Sequence, residues 1–484
     1  MDLRYVVGHT LPDDVSQVDI LGLTADSRDV APGFLFAALP GTQTDGAKFI
    51  PQALDKGAAA ILLPQNTSVS LNRGIPVIED ADAHRAFALM AARFFGRQPE
   101  TTIAVTGTSG KSSIVSYVRQ LWLALGYSSA SLGTIGIETP TGPKKAGLTT
   151  PDPVSLHKAL AELADEGVTH LALEASSHGL QQRRLDGVRF AAAAFTNLSR
   201  DHLDYHPSVE DYLAQKLRLF DTLLPDGSPV VVNADSDVAD KVIAVASERT
   251  LPLLTVGERG ETLKLLEVER AGFSQRLQIQ HNGNIHTVTL PLVGEFQASN
   301  ALVAAGLCMA RGADAGDVLP LLDQLKGAKG RLELVGKTAN GAPVFVDYSH
   351  KPDALEKVLG ALRPYATGKL AVVFGCGGDR DKGKRPEMGE IASKKADVVI
   401  VTDDNPRGED PAAIRAAILE AAPDAREIAD RAEAIEAAVS ALGADDVLVV
   451  AGKGHEQGQI VGDTVLPFSD HDAVARALEQ ETAK

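Results

Sequence analysis

The stretch "TTIAVTGTSGKSSIVSYVRQLWLALG", residues 101 to 126, constrains the fold of this chain more than any other. An apolar run with strand character reaches a glycine-containing loop, after which Ile114, Val118, Leu121 and Leu125 recur at helical spacing. Gly107 and Gly110 let backbone N–H groups approach an anion, and the helix N-terminus adds its positive dipole end. Lys111 can then neutralise terminal phosphates, and the Ser112 hydroxyl can reach Mg²⁺. The match is to G-x-x-G-K-S and not to the full phosphate-loop pattern, because Val105 occupies the place of the first glycine. A glycine-rich turn that merely starts a helix is the plain alternative.

With 484 residues, the chain exceeds one ordinary core, and at roughly 100–200 residues per domain it reads as about three. The helical pattern of "FALMAARFFGRQPETTIAV" stops at Gly96 before a strand begins, and glycines and lysines in "KGAKGRLELVGKTANGAPVFVDYSH" mark a second break. The expected domains are 1–98, 99–328 and 329–484. After the second break, strands "PVFVDY", "LAVVFG", "ADVVIVT" and "DVLVVAG" alternate with helices such as "AEAIEAAVSAL", whose Ile435, Val439 and Leu442 share a face. Such alternation predicts α/β architecture: mostly parallel sheets covered by helices, with ligands gathering beyond the carboxyl ends of strands.

A net charge of −17 disfavours nucleic acid as a partner, so any phosphate must be held locally. Cys308 and Cys376 have no metal-type spacing, and no run is apolar for the length of a membrane span. A soluble, cytoplasmic protein without a processed leader is expected. Two strands end in acids: "HLALEASSHG" in Glu174, and "AAAAFTNLSRDHLDYH" in a cluster of Asp201, His202, Asp204 and His206. These residues suit Mg²⁺ beside a phosphate loop, although the histidines alone fit zinc or a polar loop equally. Lys216, on an amphipathic stretch with Leu213, Leu217 and Phe220, reads from composition as a solvated lysine.

From the motifs "TGTSGKSS", "LEASSHGL", "NLSRDHLDYH", "YLAQKLRLF", "GEFQASNALVAA", "KGRLELV" and "DYSHKPDAL", in this order, the whole chain resembles the Mur ligases, ATP-dependent amide-bond formers of peptidoglycan synthesis. "DSRDVAPGFLFAALPGTQTDG" resembles the uridine-nucleotide domain of members that add the third peptide residue. "GCGGDRDKGKRP", "DDNPR" and "GKGHE" resemble members adding meso-diaminopimelate. The resemblance implies an N-terminal uridine-nucleotide domain, a central phosphate-loop ATPase-like domain and a C-terminal Rossmann-like domain. It implies ATP phosphates on Gly107, Thr108, Ser109, Gly110, Lys111, Ser112 and Ser113, and the rest of the nucleotide on Asn300, Arg331 and Asp347. Ser112 and Glu174 would hold one Mg²⁺ with His202 near a second, and Lys216 would be carbamylated (N6-carboxylysine) to help position Mg²⁺. Ser27 and Arg28, with Thr149, Thr150, Ser176, Gln182 and Arg184, would bind UDP-N-acetylmuramoyl-L-alanyl-D-glutamate. The resemblance leaves the protein without a further partner, as a monomer.

Diaminopimelate carries one carboxylate more than lysine, so a site selecting it needs a fixed cation. In "VTDDNPRGED", Arg407 offers a planar fork, and Arg380 of "GGDRDKG" is a second. Pro406 biases Asn405 toward an extended backbone, Asp404 flanks it, and Glu456 and Gly452 complete the expected pocket, Glu456 receiving the distal ammonium. The rival expectations are a lysine-adding or folate-extending relative, a small-molecule kinase, and a nucleotide-binding regulator without catalysis.

Overall fold

The computed structural model describes residues 1–9, 18–41, 44–67, 74–144, 147–199, 201 and 205–482. The chain forms two compact units, Met1–Lys264 with Leu302–Val318, and Leu265–Ala301 with Leu319–Lys484.

The first unit opens with a small parallel sheet of Gly22–Thr24, Phe34–Ala37, Ala60–Pro64 and Val77–Asp80, in that order. The helix Ala83–Phe95 covers it, burying Phe87 and Met90. Asp82 caps its start through the Arg85 N–H at 3.1 Å, and Gly96 stops it at φ +72°, the stop expected from sequence. A larger sheet follows, in the parallel order Leu253–Gly257, Val230–Asn233, Phe190–Phe195, Thr101–Thr106, His170–Glu174, Ser129–Gly133. All six residues of Thr101–Thr106 are buried, as a central strand covered on both faces requires. Register sets Val105 beside Glu174 and Thr106 beside Phe195, so three strands end together and their loops meet. Ile114, Val118 and Leu121 of the helix Lys111–Ala124 are buried, the face read from their spacing.

In the second unit, the sheet order is Glu333–Lys337, Pro343–Asp347, Val447–Ala451, Leu370–Phe374, Val398–Val401, Arg426–Glu427, antiparallel only at its first pair. Strand alternation divides the core. Phe345, Val372 and Phe374 pack with Leu355, Leu359, Met388 and Ile418 on one face, while Val344, Val346 and Val373 pack with Ile435, Val439 and Val474 on the other. Helices therefore cover both faces, and the four strands expected from the sequence form the parallel core.

Candidate active site

The phosphate loop is fixed by the neighbouring strand end. Ser109 N–H donates to Asn197 Oδ1 at 3.0 Å, the Thr196 hydroxyl and the Asn197 amide return bonds to Ser109 O, and Thr108 N–H donates to Asn197 O at 2.8 Å. Gly107, at φ +142°, has no room for a side chain, since a Cβ would lie 1.9 Å from Thr196 Oγ1. Ser112 and Ser113 are buried in the first helical turn. Lys111 Nζ donates to Gly107 O at 2.9 Å and Thr108 O at 2.8 Å, so the amine rests where phosphate oxygens would replace carbonyls.

Lys216 is not the solvated lysine that composition suggests. Its residue is 1% exposed, its Nζ donates to Gly107 O at 2.8 Å, and the amine stands 4.2 Å from the centre of the Tyr212 ring. Burial, then the Lys111 cation, pushes the amine well below its ordinary pKa against the pull of Asp201. The lowering favours the unprotonated, nucleophilic form of the amine. Two lysines thus converge on the one carbonyl oxygen of Gly107.

Glu174 is buried at the end of its strand. Thr134 holds both of its oxygens, donating N–H to Oε1 at 2.8 Å and the hydroxyl to Oε2 at 3.1 Å. The five residues expected to grip the peptide gather around this strand end. Thr150 Oγ1 donates to Glu174 O at 2.8 Å and accepts from Ser176 N and Oγ at 3.0 Å each, while Thr149 Oγ1 lies 3.0 Å from Thr134 Oγ1. Arg184 donates to Thr150 O at 2.8 Å and to Gln182 Oε1 at 2.6 Å. Below them, buried His206 bridges Ser177 Oγ at 3.0 Å and Asp211 Oδ2 at 2.9 Å, which ties it into the scaffold. His202 and Asp204 lie outside the described residues.

Among the described residues no three His, Cys, Asp or Glu side chains converge as a metal cage. The donors present still fit Mg²⁺. A buried carboxylate and the hydroxyl of Ser112 are hard oxygen ligands beside a phosphate loop, and this ion typically keeps waters and uses few carboxylates. Gly133 leaves space for that carboxylate, since a Cβ there would lie 2.1 Å from Glu174 Oε1.

In the N-terminal sheet region, Ser27 donates to Gln52 Oε1 at 2.8 Å and is buried. Arg28 is exposed, paired with Asp26 Oδ2 at 2.5 Å, and this pairing lowers the Asp26 carboxyl to about 2.

The second unit places Asp347 at a strand end, accepting from Leu332 N at 2.6 Å, Ser349 N at 2.8 Å and the Ser349 hydroxyl. Burial raises its pKa, opposed by Ser349 and Arg331. The Arg331 guanidinium lies 4.7 Å from the Tyr348 ring centre, and its buried Nε has no partner among the described residues, an orphan donor a ligand can answer. Asn300 donates to Gln297 Oε1 at 3.2 Å.

Three further loops meet at the carboxyl end of this sheet. Arg407 donates from Nη1 to Gly378 O at 2.9 Å and to Asn405 O at 3.4 Å. Its backbone is left-handed at φ +52° and bonded on both sides to the hairpin Gly458–Val461 and Thr464–Pro467: Arg407 N–H to Ile460 O at 3.0 Å, Gly462 N–H to Arg407 O at 2.8 Å. Asn405 Nδ2 donates to Glu456 Oε2 at 2.9 Å, which joins the two loops that the sequence motifs pair. Gly452, at φ +116°, leaves room for Asp404, whose Oδ2 a Cβ would meet at 2.7 Å. Arg380 is exposed and donates to Asp379 O at 3.3 Å. Among the described bonds it joins neither Arg407 nor Glu456.

Sequence reasoning passed over Thr134, Asn197, Tyr212 and Lys453, each of which orients a site residue. Lys453 lies inside "GKGHE", and nothing in that motif marks its amine as buried. Thr134 and Asn197 follow strand ends, the place already marked for ligands, and that position was their available signal.

A phosphate loop on a parallel sheet, followed by a doubly wound unit with charged strand-end loops, marks a nucleotide-dependent enzyme class, and comparison with known proteins specifies it. Residues 19–95 match the model of the Mur ligase family, catalytic domain, residues 105–308 the Mur ligase middle domain, and residues 330–454 the Mur ligase, glutamate ligase domain. The chain is 53% identical to the UDP-N-acetylmuramoyl-L-alanyl-D-glutamate--2,6-diaminopimelate ligase of Agrobacterium fabrum over 99% of both chains. It is 56% identical to the protein of the same name from Bradyrhizobium diazoefficiens over 100% of both. A solved structure of a ligase with this name aligns with TM-score 0.73 at 31% identity, covering 100% of this chain and 99% of that one. The chain belongs to the Mur ligase family.

Proposed function

We propose that the protein is an ATP-dependent ligase that joins meso-2,6-diaminopimelate to the D-glutamate γ-carboxylate of UDP-N-acetylmuramoyl-L-alanyl-D-glutamate, giving ADP and phosphate. The step belongs to peptidoglycan precursor synthesis. The observation that carries the acceptor's identity is the Arg407 guanidinium, held on two backbone carbonyls beside the joined Asn405 and Glu456 side chains. An acceptor bearing both an ammonium and a carboxylate at its distal end answers both charges. The chain works as three domains, 1–98, 99–328 and 329–484, within which the three family matches fall. Among the described residues no helix is long and apolar enough to cross a membrane.

The γ-carboxylate of the dipeptide attacks the γ-phosphate of ATP and ADP leaves, forming an acyl phosphate. The diaminopimelate amine then adds to the acyl carbon, and the tetrahedral intermediate expels phosphate to leave an amide. Lys111 exchanges its carbonyl partners for phosphate oxygens and offsets their charge as it moves between carriers. Thr149, Thr150, Ser176, Gln182 and Arg184 orient the dipeptide. Ser27 and Arg28 take the uridine end, and Asn300, Arg331 and Asp347 contact the nucleotide. Ser112 and Glu174 would hold one Mg²⁺ and His202 would lie near a second; when bound, Mg²⁺ supplies Lewis-acid stabilisation of the transferring phosphoryl group. The unprotonated form of the Lys216 amine, favoured by burial, adds to CO₂ and loses a proton, giving a carbamate that serves as an additional anion near this site. Asp404, Asn405, Pro406, Arg407, Gly452 and Glu456 shape the acceptor pocket, with exposed Arg380 at its rim.

The purified enzyme, given ATP and the UDP-muramoyl dipeptide, is expected to yield a product heavier by diaminopimelate less water when meso-diaminopimelate is offered, and far less adduct when L-lysine is offered instead. Phosphate release should depend on the added amine. Phosphate released without it, or a phosphorylated dipeptide as the end product, would favour a kinase and refute the ligase.

A further inference from the structure

Lys453 is a charged side chain with 0% exposure, set between two loops of the acceptor pocket. Its Nζ donates to Asn405 Oδ1 at 2.9 Å and to Glu456 Oε2 at 3.2 Å. Asn405 Nδ2 donates to the same Glu456 oxygen at 2.9 Å, closing a three-membered ring of bonds, and Asn405 Oδ1 also accepts from Ile460 N–H at 2.9 Å. The ring fixes which way the Asn405 amide faces. It also commits Glu456 Oε2 to two protein donors, so an incoming ammonium is met by Oε1.

The formal charges around the ring are informative. Arg431 and Asp470 are both buried and cancel in a two-pronged pair at 2.7 and 2.8 Å. Lys453 cancels Glu456, and Arg407 with Asp404 leaves one charge of each sign. The pocket offers Glu456 and Asp404 to an ammonium and Arg407 to a carboxylate, which suits the end of a ligand that is itself a zwitterion. A ligand ending in an ammonium alone leaves the Arg407 guanidinium without a carboxylate.

On the ligase reading above, we infer that Lys453 is a positioning residue that selects a zwitterionic acceptor terminus over a lone cation. It orients Asn405 and Glu456, and its charge offsets that of the Glu456 carboxylate, which would otherwise draw a lone ammonium. Without its charge the Glu456 carboxylate is no longer offset, which favours the acceptor ending in an ammonium alone.

The test measures kcat and KM for meso-diaminopimelate and L-lysine in the wild type and in Lys453→Met, with the KM for ATP and thermal melting as controls. The expected result is a KM for diaminopimelate raised about 10- to 100-fold, from the loss of a charged bond inside a buried network. The KM for ATP should be unchanged, and the diaminopimelate-to-lysine preference should fall at least about tenfold, on the scale of one partly screened unit charge. Lys453→Gln, which keeps a donor but removes the charge, carries the same test of preference if the methionine variant does not fold. An unchanged preference, or equal losses for both amines, would overturn the role of Lys453. A wild type that forms no diaminopimelate product would instead overturn the ligase reading itself.

Discussion

Replacing Arg407 by glutamine isolates the charge that the acceptor pocket directs at its ligand. The guanidinium is half-buried and held by Nη1 on the carbonyls of Gly378 and Asn405, so it is already fixed before an acceptor arrives. Two unit charges at about 4 Å attract by roughly 4 kcal/mol at the effective dielectric of a protein surface and by about 1 kcal/mol in bulk water. A half-buried pair lies between these limits, at about 2–3 kcal/mol, or a factor of roughly 30–150 in kcat/KM. The assay offers equal meso-diaminopimelate and L-lysine to each enzyme and resolves the two products by mass. Wild type should favour diaminopimelate by at least about that factor, and Arg407→Gln should lose it while its use of lysine changes little. Arg407→Lys, which keeps the charge but not the fork, should fall between them. A glutamine variant with the wild-type preference would refute the pairing. One that lost both amines equally would assign Arg407 to the framework and not to selection.

Lys216→Ala should lower kcat by about 10²–10³-fold, the usual scale for removing a preorganised electrostatic group, and millimolar formate or acetate should restore part of it in steady-state assays. Full activity in that variant would exclude the carbamate. Thr134→Val removes one of the two donors on Glu174 and should raise the Mg²⁺ concentration for half-maximal rate about tenfold, read by titration. His157, buried with a bond to Asp186 O at 3.3 Å, has its pKa lowered from 6.5 to about 4, chiefly by burial. Its folded value lies below its unfolded one, so the unfolded chain binds the extra proton in between, and stability present above pH 6.5 is lost as pH falls toward 4. The loss reaches about 3 kcal/mol, and denaturant unfolding of His157→Gln should show that portion of the acid dependence removed.

Much of this was legible in the sequence because the signals are local. The phosphate loop, the buried face of its helix and the four apolar strands of the second sheet follow from residue type and period alone. Glu174 stood out because it ends a strand. Lys216 did not, since nothing in "EDYLAQKLRLFD" says that the amine turns inward toward Gly107 O, 109 positions away in sequence. Lys453 was hidden for the same reason: its partner Asn405 lies 48 positions back. Pro406 pointed to an extended Asn405, yet the left-handed backbone of Arg407 has no marker, because arginine is not a residue that turns call for.

That left-handed backbone bears on redesign. The main chain of Arg407 is stitched on both sides to the two-stranded ribbon ending at Pro467. Grafting another amine preference onto this enzyme by swapping side chains alone would leave the donor's new residue in a posture dictated by the recipient's ribbon. The loop and ribbon form one transplantable cassette, while the sheet beneath can stay as it is.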